Sequence, residues 1–237
     1  MIKIVSVIGT AKSQDSVTEN VVNKLISEIS SRSKNRIENI TLKLADYKIN
    51  ECVGCLQCFK SCRICDRYDD DIKKIDLEIN DADIIVFASP VYAHNITGKM
   101  KNFIDRIAYG LHIMKFLGKY GIVVSTSASN GNYLVEQYLT SMMIYFGMKP
   151  ISTISISMVK GGINNIISDS SEKIVNIIDG VEIRKSTDYE EQVFQTMKKA
   201  MVDLRTKVNT KETLYWEKKG YFEGDSFEEL FELACRK

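Results

Sequence analysis

The sequence predicts a three-layer α/β sandwich, in which helices cover both faces of a five-stranded parallel sheet in the order 2-1-3-4-5. Three observations carry this prediction. Five short apolar segments alternate with five segments of helical periodicity, and parallel neighbours require such crossovers. Only two prolines occur, so the elements should be long and regular. With 237 residues, 44% of them hydrophobic, the chain can bury a sizeable core. Right-handed crossovers favour this strand order.

The predicted strands are short apolar or alternating runs. The first reads IKIVSVI, and its β-branched residues are typical of a strand buried on both faces. In chain order, the five strands are predicted at residues 2–8, 39–44, 83–88, 120–125 and 151–158.

The predicted helices follow apolar positions spaced by three or four residues. Ser16 and Glu19 offer a capping box that marks the start of the first helix, which carries apolar residues through position 29. The next helices are predicted at residues 69–80, 97–109, 133–146 and 193–204. We expect the segment 160–187, before the last of these helices, to be irregular.

The chain is expected to divide into one domain at 1–208, with a cysteine-rich insert at 52–65, and a helical tail at 209–237. Aromatic residues crowd together at 214–222, and an amphipathic stripe follows them. Cys235 should be buried in the final helix. Apolar periodicity indicates burial without saying against what. The tail therefore either covers its own domain or reaches a partner subunit or the active site.

The charge balance excludes several classes of partner. Lys and Arg total 32 and Asp and Glu total 31, which leaves a net charge of +1. This gives no electrostatic reason to expect a nucleic acid or an anionic membrane. No apolar run approaches the roughly 18 residues of a membrane span, and no signal-peptide core follows Met1. We therefore expect a cytoplasmic protein without nucleic-acid or membrane partners.

Three loops at the carboxyl ends of predicted strands are candidate binding segments, because ligands of doubly wound sheets bind there. The loop 9–18 offers hydroxyls, a lysine and the free N–H groups of a helix start, which together suit an anion. It lacks the glycine patterns of dinucleotide and P-loop sites, so one terminal phosphate of a mononucleotide fits better. The loop 88–95 offers a proline and an aromatic ring for a planar group, and 125–131 is small and polar.

Specific residues in these loops carry a family resemblance. They are Gly9-Thr10-Ala11-Lys12 through Thr18, then Ser89-Pro90-Val91-Tyr92 followed by GKMKNFIDR at 98–106, and Cys52-x2-Cys55-x2-Cys58 leading to Cys65 and Asp69-Asp70. The chain resembles the NADPH-dependent FMN reductase superfamily of flavodoxin-like proteins, and within it the iron–sulfur flavoprotein branch. The resemblance covers about 1–158, extends loosely to the last predicted core helix and does not include the tail.

The resemblance implies a bound FMN and NAD(P)H as co-substrate. The phosphate would lie against Thr10, Lys12, Ser16, Val17 and Thr18. The isoalloxazine would lie against Pro90, Val91, Tyr92 and Ala93, with Thr126, Ser127 and Ala128 on its polar edge. It also implies homodimers or homotetramers with the flavin near a subunit boundary. Relatives usually carry Ser-Pro at 10–11 and paired glycines at 127–128, where this chain has Thr-Ala and Ser-Ala.

Three interpretations of the clustered cysteines remain open. Cys52, Cys55, Cys58 and Cys65 can hold a [4Fe-4S] cluster, with Cys62 as the alternative fourth ligand. Two Cys-x2-Cys pairs can instead hold zinc. The third interpretation is a loop of free or redox-active thiols without metal. No catalytic side chain is expected, because a flavin would carry the chemistry.

We therefore expect an FMN-dependent oxidoreductase that passes electrons from NAD(P)H or a ferredoxin-like donor to an acceptor. A cluster-free reductase of the same fold, acting on flavins, quinones or nitro compounds, is one alternative. A non-catalytic flavin electron carrier or a thiol-based redox sensor is the other.

Overall fold

A computed structural model describes residues 1–235 and contains a five-stranded parallel sheet in the order β2-β1-β3-β4-β5. This confirms the predicted fold class and strand order. The strands are β1 (Ile2–Ile8), β2 (Ile37–Lys43), β3 (Ile84–Pro90), β4 (Tyr120–Ser127) and β5 (Lys149–Ser157). Their bounds differ from the predicted ones by at most two residues, since strand ends are poorly marked in a sequence.

Ten α-helices lie within the described residues, and a single 3-10 turn, Leu44–Asp46, follows β2. The helices are α1 (Val17–Arg32), α2 (Gln57–Ser61), α3 (Ile72–Asn80), α4 (Gly98–Arg106), α5 (Tyr109–His112), α6 (Asn132–Tyr145), α7 (Ile163–Ile178), α8 (Asp188–Lys207), α9 (Lys211–Lys219) and α10 (Phe227–Cys235).

The two faces of the sheet bury separate apolar clusters, because successive strand residues point to opposite faces. On one face, Ile4 and Ile8 of β1 pack with residues of α1 and α7. On the other, Val5 and Val7 pack with residues of α3, α4 and α6. Helices thereby cover both faces of the parallel sheet.

The prediction of an irregular segment at 160–187 is wrong, because α7 occupies sixteen of its residues. Ile167 and Ile174 of this helix are fully buried and belong to the same cluster as α1. The many Asn, Ser and Asp residues of α7 are weak helix formers, which hid the periodicity of the isoleucines. Burial of the isoleucine face overrides that weak propensity. The parts of the segment that lack regular structure are residues 160–162, before α7, and the residues between α7 and α8.

The C-terminal helices pack against their own chain. Trp216 of α9 is fully buried, its indole is stacked with Phe194 of α8 at 6.3 Å between ring centroids, and its Nε1 donates to the His112 carbonyl at 3.0 Å. Lys149 of β5, also buried, donates to the Glu228 carboxylate of α10 at 2.8 Å. The predicted tail therefore contributes a third apolar cluster. Residues 236–237 of that tail lie outside the described residues, and the domain division at 208 stays a prediction.

Cys235 is exposed, so the prediction of a buried thiol is wrong. Its Sγ donates to the Gly118 carbonyl, just before β4, at 3.2 Å. Phe227, Leu230 and Phe231 form the buried face of that helix. In residues 1–235, no helix has both the length and the apolarity needed to cross a bilayer.

Candidate functional site

The loops after β1, β3 and β4 converge on one cavity of about 320 Å³ at the carboxyl edge of the sheet. This volume falls in the range of small-molecule sites, about 300–1,000 Å³. We call it the loop cavity. It is lined by Thr10, Lys12, Ser16, Val17, Thr18, Pro90, Val91, Tyr92, Thr126, Ser127, Ala128 and Met158. The structure thus brings together every predicted cofactor residue except Ala93, and it adds Met158, which follows β5.

Hydroxyl groups and a helix start form one side of the loop cavity. Thr10, Ser16 and Thr18 are almost fully buried, with 2–3% of each exposed. Ser16 caps α1, because its Oγ accepts a hydrogen bond from the Glu19 N–H at 3.3 Å. The reciprocal half of the predicted capping box is not made, since the Glu19 carboxylate pairs with Lys43 at 3.1 Å. Because Ser16 occupies the Glu19 N–H, the N–H groups of Val17 and Thr18 are the ones left for an anion at the start of α1.

The first and third loops are joined by a buried hydrogen bond between the hydroxyls of Thr18 and Thr126, 2.6 Å apart. Behind it, Asn132 donates to Ser125 Oγ at 2.9 Å and accepts from Ser127 Oγ at 2.5 Å. These bonds fix the third loop before any ligand arrives. Because the groups are buried and partnered, the hydroxyls hold defined positions around the cavity.

The second loop is a tight turn with two residues in the left-handed region, Ala93 at φ 48° and His94 at φ 60°. Tyr92 and Asn95 flank it and exchange two backbone hydrogen bonds, of 2.9 and 3.0 Å. This geometry puts Ala93 at the exposed tip, which explains its absence from the cavity lining. His94 is exposed, as predicted for a surface histidine.

Gly131 lets the second and third loops approach each other closely. Its φ is +87°, and a Cβ at this position would lie 2.7 Å from Val91 Cγ1. A side chain here would be strained and would push the Val91 wall away from the third loop. The sequence prediction noted Gly131 only as part of a small polar loop and did not find this contact.

The loop cavity has one polar and one apolar region. Thr10, Ser16, Thr18 and the exposed Lys12 are hydrogen-bond donors near the α1 terminus, whereas Val91 and Met158 are apolar walls. Lys12 has no side-chain partner within the described part of the chain. This donor set fits a ligand with an anionic end and a flat apolar body, and an FMN molecule has both.

Four of the five clustered cysteines line a second cavity, which we call the cysteine cavity. They are Cys52, Cys55, Cys58 and Cys65, and they share it with aromatic and charged residues that include Phe59, Tyr68, Asp105 and Arg106. These four thiols are the set predicted to hold a cluster. Helix α2 lies between the first and the last of these cysteines in the sequence. The two residues that flank it, Leu56 and Cys62, both have a left-handed backbone conformation.

Cys62 lies on a different cavity, with Tyr109, Lys115 and Tyr215. Burial raises the pKa of its thiol to about 11. The structure thus separates the alternative fourth ligand from the other four thiols.

Within residues 1–235, no three His, Cys, Asp or Glu side chains converge closely enough to hold a single metal ion. A tetrahedral zinc site would need four such donors around one ion. In a [4Fe-4S] cluster the four thiolates bind different irons, so they surround the cluster instead of meeting at a point. The four thiols that line the cysteine cavity are the ones that would have to surround such a cluster.

A buried ion pair fastens the cysteine segment to α4. Arg106 and Asp70 are almost fully buried and pair at 2.6 Å. Asp70 also accepts from the Asn50 N–H at 2.9 Å, and Arg106 donates to the Asn50 carbonyl at 2.6 Å. Burial opposes ionisation of Asp70, but hydrogen bonds from Arg106 and Asn50 outweigh it and lower the pKa of the carboxyl. Asn50 and Asp70, which lie on either side of the cysteine segment in the sequence, are thereby both bonded to the Arg106 guanidinium.

Helix α4 connects the two cavities. Its N-cap, Thr97, donates to the Gly9 carbonyl in the first loop and accepts from the Met100 N–H at 3.1 Å. Its last residue, Arg106, lines the cysteine cavity. At 1.5 Å per residue, the helix spans about 14 Å between these ends. The loop cavity and the cysteine cavity are therefore separate sites on one rigid element.

Comparison with known proteins gives a family match over most of the fold. The family model described as NADPH-dependent FMN reductase matches residues 2–162. Two proteins of Archaeoglobus fulgidus named iron-sulfur flavoprotein are 34% identical over 46% of this chain and 33% identical over 51% of it. The alignments span 49% and 60% of those two proteins, less than two thirds of their length. An iron-sulfur flavoprotein of Clostridioides difficile is 27% identical, over 71% of this chain and 73% of its own.

Solved structures share the fold at low sequence identity. RosB with a bound riboflavin-phosphate intermediate has a TM-score of 0.61 and 12% identity, over 86% of this chain and 88% of its own. An FMN-dependent NADH-azoreductase from Bacillus anthracis has a TM-score of 0.53 and 14% identity, over 76% of this chain and 99% of its own. These likenesses establish the fold alone.

Proposed function

Because this chain belongs to the NADPH-dependent FMN reductase family, whose model matches residues 2–162, we propose that it is an FMN-dependent oxidoreductase. It takes electrons from NAD(P)H or from a reduced ferredoxin-like carrier and passes them to an acceptor. When bound, FMN supplies the chemistry, since it accepts a hydride and can release electrons one at a time. No protein acid or base is assigned to the reaction.

One observation carries this proposal: loops from three distant parts of the sequence build a single cavity with the donor set that FMN requires. Thr10, Lys12, Ser16 and Thr18 would hold the phosphate together with the N–H groups of α1. Pro90, Val91 and Met158 would exclude water from the ring. The Thr18–Thr126 hydrogen bond would keep the phosphate end and the ring edge at a fixed separation.

The cysteine cavity supports a second part of the proposal, a [4Fe-4S] cluster held by Cys52, Cys55, Cys58 and Cys65. Its support is the donor set and the names of the Archaeoglobus fulgidus and Clostridioides difficile relatives. Such a cluster would exchange single electrons, whereas nicotinamides deliver two at once. The buried Arg106–Asp70 pair would keep its loop in place.

A homo-oligomer is the proposed assembly. Apolar side chains at the mouth of the loop cavity are exposed, among them Val17, Tyr92, Met158 and Val159. Exposed apolar groups around a cavity are typical of contact surfaces. Light scattering of the purified protein should give a dimer or tetramer, and a monomer at micromolar concentration would contradict this part.

Anaerobic purification with a visible spectrum and iron, zinc and sulfide analysis tests the proposal. We expect flavin bands, with iron and sulfide near four each per chain. Flavin without iron would remove the cluster and leave the reductase. A protein that stays colourless after incubation with FMN would contradict the proposed function. Reduction of the flavin by a ferredoxin but by neither NADH nor NADPH would favour an electron carrier.

A further inference from the structure

The cysteine cavity contains an unpaired donor. Of the buried side-chain nitrogen and oxygen atoms in residues 1–235, Arg106 Nε alone has no hydrogen-bond partner. The rest of the guanidinium is occupied, because Nη1 and Nη2 donate to the two oxygens of Asp70, at 2.6 and 3.2 Å. A buried donor without a partner destabilises the protein, because it has lost its hydrogen bonds to water and gained none in return. A protein that keeps such an atom at a cavity wall is expected to pair it with what the cavity holds.

The guanidinium is fixed in position next to one of the four thiols. Its Nη1 is also bonded to the Asn50 carbonyl, so the plane of the group is held from two sides. The Arg106 side chain is 1% exposed, and it lines the same cavity as Cys65. These bonds hold the guanidinium of Arg106, a lining residue of the cysteine cavity, in one orientation.

We propose that Arg106 is a positioning residue for the iron–sulfur cluster, whose Nε–H donates to sulfur at the Cys65 corner, orients that ligand and raises the reduction potential. The inference rests on the proposed function and deepens its cluster part. Reduction adds negative charge to the cluster sulfurs, so an N–H donor stabilises the reduced state more than the oxidised one. The same contact favours Cys65 over Cys62 as fourth ligand, since Cys62 lies on another cavity.

Arg106→Lys is the first test, because lysine keeps the positive charge beside Asp70 and lacks an Nε–H donor on a planar fork. The measurement is the midpoint potential of the cluster in the anaerobic holoprotein, followed by electron paramagnetic resonance. At a fixed potential, the ratio of reduced to oxidised cluster should fall about tenfold, which is 59 mV for a one-electron couple. The midpoint potential of FMN in the same sample is the internal control and should not move.

Two further variants separate this role from a merely structural one. Asp70→Asn removes the negative charge but keeps a side-chain oxygen that can accept from the guanidinium, and the bond from Arg106 to the Asn50 carbonyl remains, so Arg106 stays in place and the cluster potential should not fall. If Arg106→Lys fails to fold, Arg106→Met with Asp70→Asn removes both charges and leaves no unpaired buried ion. This double variant should show the same fall as Arg106→Lys.

The outcomes are distinct. A cluster potential unchanged in the variants that lack the arginine, or lowered equally by Asp70→Asn, would overturn the inference. A wild-type protein that binds FMN but takes up no iron and sulfide would overturn it together with the cluster part, while the FMN part would stand. A protein that retains neither FMN nor iron would overturn the proposed function itself.

Discussion

Thr18 has both a structural role and a role in the proposed binding of FMN. Its side chain is buried, lines the loop cavity and shares a 2.6 Å hydrogen bond with Thr126. The hydroxyl thus holds the third loop and also faces the region assigned to the phosphate. Loss of this one oxygen atom should therefore affect binding far more than its size suggests.

Thr18→Val should weaken FMN binding about ten- to hundredfold. A hydrogen bond to a charged group contributes about 1.5–3 kcal/mol, and valine keeps the shape of the side chain. Fluorescence titration of the apoprotein with FMN measures the dissociation constant. Ser27→Ala, which removes an exposed hydroxyl from the same helix, is the matched control and should have no effect. Equal affinities of the wild type and Thr18→Val would mean that the phosphate binds elsewhere.

Gly131→Ala should reduce both the stability and the affinity for FMN. A residue with a Cβ at positive φ costs about 1–2 kcal/mol, and the new Cβ would also meet Val91 at 2.7 Å. Gly161→Ala is the matched control, since Gly161 has a φ of +66° but open space around its Cβ. Urea unfolding should show a larger loss for Gly131→Ala. Equal losses in the two variants would show that the contact with Val91 is unimportant.

At the scale of elements, α10 is held to the sheet by a charged contact at its first turn. The Glu228 carboxylate accepts from Lys149 at 2.8 Å and from the Ser186 N–H at 2.6 Å. Burial opposes ionisation of Glu228, but these hydrogen bonds outweigh it and place the pKa of the carboxyl below its ordinary value of 4.5. The contact is therefore present at neutral pH and is lost in acid.

Glu228→Gln should destabilise the protein at pH 7, with a difference from the wild type that narrows as the pH falls below 4.5. The sign follows from the lowered pKa: the unfolded state binds the proton at higher pH than the folded state, so acid favours unfolding. Urea unfolding between pH 7 and pH 3.5 measures both proteins. A difference that stays constant over this range would mean that ionised Glu228 does not stabilise the docking of α10.

At the scale of the whole molecule, the core sheet and the loop cavity could be predicted because both follow from local patterns. Apolar runs identify buried strands, and the carboxyl ends of parallel strands meet at one edge. The sequence did not identify Met158 as a cavity residue, because Met158 reaches the cavity only as a result of β5 lying next to β4 in the sheet. The buried face of α7 was missed because weak helix formers separate its isoleucines.

The sequence also could not predict which residues pair with the buried charged side chains. Arg106 and Asp70 are 36 residues apart, and no local pattern pairs them. The exposure of Cys235 depends on the rotation of α10 against the third apolar cluster. These features are set by packing between distant segments, which a single sequence does not encode in any short window.

The walls of the loop cavity begin at Thr10 and are completed by Met158, after the last strand. During synthesis on the ribosome, the chain therefore has no complete cofactor-binding site until most of the domain has been made. Binding of the proposed FMN would therefore follow assembly of the sheet. Bound FMN would then stabilise the folded protein against unfolding, since a ligand that binds the native state alone stabilises it by mass action.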